Sequence, residues 1–137
     1  MNYTSEEIIE YLTEHQVKPS NIRIKVLKFL LMNKNHPTAD DIYNSLIEEI
    51  PTLSKTSVYN TINLFIEKGI VNGLTLNEKE LRYDIDTSFH GHFKCDKCGK
   101  IYDFPITISP PTHDELKDFI INTKDVFFYG ICKECNR

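Results

Sequence analysis

The chain has 137 residues, of which 40% are apolar and 26% charged, and a net charge of −4. That length suits one ordinary domain or two small ones, and the composition is that of a folded globular chain rather than a disordered one. No apolar run approaches the roughly 18 to 20 residues of a membrane span, and the acidic balance leaves no overall basic footprint, so any nucleic-acid contact must rest on local placement of charge.

The N-terminus, MNYTSEEIIEYL, has neither the basic n-region nor the apolar h-region of a secretory signal, which predicts a cytoplasmic protein. Thr4 and Glu7 form a capping-box pair ahead of Ile8, Ile9 and Leu12 at helical spacing. Pro19-Ser20 opens a second helix with an apolar stripe of Ile24, Leu27, Leu30 and Leu31. Thr38 with Asp41 opens a third, carrying Ile42, Leu46 and Ile47, and Ser54 caps a fourth that ends at Gly69. Residues 70–76 and 81–85, separated by the polar stretch 77–80, read as a β-hairpin. A helical bundle containing a helix-turn-helix and closed by a hairpin is the winged-helix arrangement, here spanning residues 1–83.

From Asp84 onward the pattern changes. Strands are expected around His90 to Cys95 and Lys100 to Phe104, then a helix after Pro110-Pro111 capped by Thr112 and Glu115, then a strand from Val126 to Tyr129. Residues 84–137 therefore read as a smaller α/β domain with an antiparallel sheet, making the whole chain α+β.

The motifs C-D-K-C and C-K-E-C place Cys95, Cys98, Cys132 and Cys135 on two tight knuckles. In reducing cytosol such pairs bind metal rather than form disulfides. Four thiolates suit tetrahedral Zn(II) and leave no open position for water, so the site is structural. The same ligands in a rubredoxin-like iron centre would make an electron-transfer protein.

His90 and His92 are one residue apart, so on a strand their imidazoles share a face. The same parity reaches back to Asp86 and Asp84, and Asp103 lies on the next expected strand. Such a mixed N/O set fits Fe(II), Mn(II) or Zn(II), although H-x-H is a weak motif and each group is equally readable as a solvated surface residue. With a water as substrate it would be a metallohydrolase. His15, His36 and His113 read as helix-end residues.

In the fourth helix, Val58, Ile62, Phe65 and Ile66 form the expected buried face, and Lys55, Thr56, Tyr59, Asn60 and Asn63 the opposite one. Those polar side chains suit phosphates and base edges in a major groove, in the helix that a helix-turn-helix presents. Lys18, Arg23, Lys25 and Lys28 add nearby positive charge.

Taken together, HPTADDIY, SKTSVYNTINLFIEKGIV, RYD followed by H-G-H, CDKCGKIYDF and YGICKEC resemble the ferric-uptake-regulator (Fur) family of bacterial metal-responsive repressors over nearly the whole chain. The resemblance implies a homodimer, a C-terminal dimerisation domain, a structural zinc on the four cysteines, and a regulatory metal at an interdomain hinge that closes the dimer onto operator DNA. Within the family the chain is most similar to the peroxide-sensing regulators. Their regulatory site matches His36, Asp84, His90, His92 and Asp103, with Asp103 standing where iron- and zinc-responsive relatives usually carry glutamate. By that resemblance, Fe(II) in the site reacts with peroxide, His36 or His90 is oxidised, and repression ends, whereas Mn(II) fills the site without that chemistry. The stretch NTKDVFF lacks the histidine with which many relatives build a further regulatory site. An iron- or zinc-uptake regulator of the same family is the nearest alternative.

Overall fold

The computed structural model describes residues 3–107 and 114–137, and the chain divides into two compact units, Met1–Thr87 and Ser88–Arg137.

The first unit begins with four helices, α1 (Ser5–Glu14), α2 (Asn21–Met32), α3 (Ala39–Leu46) and α4 (Lys55–Glu67). Each starts where a hydroxyl can satisfy an orphan amide: Thr4, Ser20, Thr38 and Ser54 accept from the N–H groups of Glu7, Arg23, Asp41 and Ser57. At α3 the bond is reciprocal, because the Asp41 carboxylate also accepts from the Thr38 N–H at 3.0 Å. Past the end of α4, Gly69 takes φ +74°, the left-handed turn for which glycine carries no Cβ penalty.

The helices bury one core, with Ile8, Leu12, Leu27, Leu30, Ile42, Val58, Ile62 and Phe65 essentially inaccessible. Ile66, expected on the buried face of α4, is instead 37% exposed, and Thr61 is buried. Ile66 lies about 80° around the helix from Val58 and leans towards Gly73. Thr61 tolerates burial because its hydroxyl donates to the Ser57 carbonyl at 2.8 Å.

Strands β1 (Asn72–Leu74) and β2 (Arg82–Asp84) form an antiparallel hairpin pairing Gly73 with Tyr83. Both are shorter than expected; the first cannot extend because Leu76 and Asn77 turn into the left-handed region at φ +46° and +56°. The segment before α3 lies along β2, with a bridge from Thr38 to Arg82 and the Tyr83 N–H donating to the Pro37 carbonyl at 2.9 Å.

The second unit is built on β3 (Gly91–Cys95), β4 (Ile101–Phe104) and β5 (Phe127–Gly130), in the order β4-β3-β5. The β3–β4 pair is antiparallel as expected, but β5 runs parallel to β3, opposing Gly130 to Cys95, so the sheet is mixed. The cysteine motifs supply the reason. Each follows directly on a strand, and only parallel strands deliver both knuckles to the same end of a sheet. Of the helix expected after Pro110-Pro111, Thr112 and both prolines lie outside the described residues, as does His113. Glu115 sits in a single 3-10 turn, Asp114–Leu116, and the positive φ of Asp118 stops any α-helix from continuing. Among the described residues no helix is long and apolar enough to cross a membrane.

Candidate functional sites

In the second unit the four cysteine sulfurs converge, all lying within 4.8 Å of one another. Sulfurs about 2.3 Å from a shared zinc span tetrahedron edges of about 3.8 Å, and Cys98 Sγ is 3.8 Å from Cys132 Sγ. A disulfide needs about 2.05 Å, and none is present. The donor set therefore fits zinc. Cys95 Sγ accepts from the backbone N–H of Cys98 at 3.4 Å and of Cys132 at 3.3 Å, and these two amides bring its thiol down to about 6. The Tyr102 hydroxyl bonds to Cys132, lowering that thiol while its own pKa is pushed up to about 12. Cys135, hydrogen-bonded to Cys132 and desolvated, is pushed up to about 12.

Also in the second unit, the register sets His92 opposite Asp103. His92 Nε2 and His90 Nε2 each lie 3.6 Å from one of the two Asp103 carboxylate oxygens. The imidazole rings stand 4.4 Å apart. His90 Nδ1 lies 2.8 Å from the Ser88 carbonyl, which can only accept, so Nδ1 carries a proton and Nε2 is the ring atom placed to act as a metal ligand. In the first unit, His36 and Asp84 are both buried, with His36 Nε2 3.5 Å from Asp84 Oδ2. Asp84 Oδ1 accepts from the Asp86 N–H at 3.0 Å, so Asp86 orients a ligand candidate through its backbone. Separations of 3.5–3.6 Å are too long for hydrogen bonds. They match N and O atoms each about 2.1 Å from a shared ion, which lie about 3 to 3.6 Å apart, so both groups fit a divalent metal.

Sequence reasoning passed over Gly91, although glycine inside a strand signals close approach. A Cβ there would fall on the Phe104 ring and 2.7 Å from Ile106 Cδ1. Gly91→Ala is expected to destabilise the second unit by ~1–3 kcal/mol through overpacking. A melting curve matching the native one would show that the ring yields freely. Nothing in the pattern signalled Ser88 or Tyr102, whose partners are set by the sheet.

On α4, Lys55, Thr56, Tyr59, Asn60 and Asn63 are all exposed on one face, as expected. Lys55 Nζ is 3.5 Å from Asp40 and 5.6 Å from the centre of the Tyr43 ring, so its charge is partly engaged. Lys18 is exposed, while an Arg23 guanidinium N–H donates to the Lys18 carbonyl at 2.7 Å. Lys25 pairs with Glu49 at 3.0 Å.

Known proteins resemble this chain in sequence and in fold. The peroxide-responsive repressor PerR of Staphylococcus epidermidis is 34% identical over 142 residues, covering 98% of this chain and 92% of the relative. The ferric uptake regulator Fur of Helicobacter pylori shares the fold at a TM-score of 0.73 and 23% identity, over 98% of this chain and 95% of that one. PerR from Streptococcus pyogenes superposes at a TM-score of 0.55 with 27% identity, over 98% and 94% of the two chains. Residues 14–125 match the sequence profile of the Ferric uptake regulator family, and the chain belongs to that family.

Proposed function

We propose that the protein is a metal-dependent transcriptional repressor that binds operator DNA as a homodimer in the cytoplasm and releases it on exposure to peroxide. The observation that carries this reading is the pair of prepared ligand groups, His36 with Asp84 in one unit and His90 and His92 around Asp103 in the other. These five residues would hold Fe(II) or Mn(II), and Cys95, Cys98, Cys132 and Cys135 would hold a structural zinc. A metal that draws ligands from both units favours one arrangement of them over others, and that difference is what shifts the population towards the DNA-binding form. Residues 1–83 act as the winged helix, with Lys55, Thr56, Tyr59, Asn60 and Asn63 reading the groove and Lys18 and Arg23 at its backbone. The second unit, Ser88–Arg137, acts as the dimerisation domain, a role supported by exposed Phe119, Phe128, Tyr129 and Ile131 and by Ile120 at 90% exposure.

Iron(II) supplies the reducing power for peroxide cleavage beside the histidines, which manganese at the same ligands does not. The histidines determine the consequence: an oxygen added to the ring of His36 or His90 weakens its Nε2 as a ligand. Membership of a family of regulators sets the hydrolase reading aside.

The test is operator binding by the Fe(II)- and Mn(II)-loaded protein before and after dilute peroxide. Binding is expected to be lost only in the iron form, with one added oxygen on the His36 or His90 peptide by mass spectrometry. Restoration of binding by Zn(II) alone, with no response to peroxide, would replace this reading with zinc sensing.

A further inference from the structure

We propose that Arg82, itself anchored by Glu78, is a positioning residue that sets the orientation of His36; the consequence for metal rests on the reading of His36 as a ligand. His36 has φ +60°, a left-handed conformation that costs a residue with a side chain ~1–2 kcal/mol. It also precedes Pro37, where the chain favours extended backbone. Left to local preference the segment would straighten and carry the imidazole away from Asp84.

Two bonds oppose this from either side of the His36–Pro37 peptide. Arg82 Nη1 donates to the His36 carbonyl at 3.3 Å, and the neighbouring Tyr83 N–H donates to the Pro37 carbonyl at 2.9 Å. Arg82 in turn donates from Nε at 2.9 Å and Nη2 at 3.3 Å to the two oxygens of Glu78. The guanidinium thus uses one edge to hold its own position and its remaining nitrogen to hold His36. Lysine has no planar fork and cannot do both at once. Both side chains of the pair are largely shielded, with 25% and 18% exposure, so the fork is less screened than a surface ion pair.

The test compares Arg82→Lys, Arg82→Ala and Glu78→Gln with the native chain and with His36→Ala. NMR of the zinc-replete protein without added manganese reads the His36 Cα shift and its amide–Hα coupling. Chelator competition reads Mn(II) affinity. The expected result is a His36 signal moving towards extended values and Mn(II) affinity falling about 10-fold, with zinc content unchanged. Native His36 signals and native Mn(II) affinity in the Arg82→Lys and Glu78→Gln proteins would overturn the inference, as would a lowered melting point with His36 undisturbed. If Arg82→Ala fails to fold, those two milder variants decide. If His36→Ala itself leaves Mn(II) binding intact, the ligand reading fails, while the NMR result still judges whether Arg82 orients His36.

Discussion

Replacing Cys95 with serine is expected to remove the zinc from the protein and, with it, the fold of the second unit. Among the described residues of that unit, the buried apolar side chains are Cys95 and Cys132, whereas Phe119, Ile120, Ile121, Phe128 and Ile131 lie open. Within a single chain, so little apolar burial among the described residues offsets only part of the ordering entropy of Ser88–Arg137. Structural zinc contributes on the order of 10 kcal/mol to units of this kind. Cys95 is the most sensitive ligand, because its sulfur accepts amides from both knuckles at 3.4 and 3.3 Å, so its loss unties the end of β3 from the segment after β5. Zinc content and far-ultraviolet circular dichroism read the outcome. A Cys95→Ser protein retaining one zinc per chain and native β signal would show that the sheet, not the metal, holds this unit.

Most of what places the sites is legible locally. The four helix starts could be read because a hydroxyl three residues before an amide is a short-range geometric device, and all four caps form. The cysteine pairs were legible because each C-x-x-C closes on itself, and the shared face of His90 and His92 because strand parity is fixed. What escaped depends on chain segments meeting at a distance. The parallel pairing of β5 with β3 was implicit in two knuckles that must meet, yet strand periodicity alone carries no direction. His36 read as a helix-entrance residue because its left-handed turn is held by Arg82, 46 residues away, and only the family resemblance singled it out. Ile66 was misplaced because a face drawn from Val58 reaches it only at the margin, where the hairpin determines burial.

The first unit is expected to fail in a different way. Phe65→Ala should destabilise it by ~3–5 kcal/mol, the usual loss for a fully buried phenylalanine plus the cavity left behind. Phe65 is inaccessible and belongs to the core that Val58 and Ile62 share with α1, α2 and α3. A domain of this size has only about 5–15 kcal/mol in total, so the substitution consumes much of its margin. Because Phe65 sits on α4, whose opposite side carries Tyr59, Asn60 and Asn63, the face proposed to meet DNA loses its support. No zinc ligand lies in this unit, so the metal should stay bound at its native stoichiometry. Heating should then give an early transition that the substitution lowers and that chelation leaves in place, and a later one that chelation abolishes. Loss of zinc together with the early transition in Phe65→Ala would show that the two cores do not stand independently, and that the staple borrows its stability from the helices.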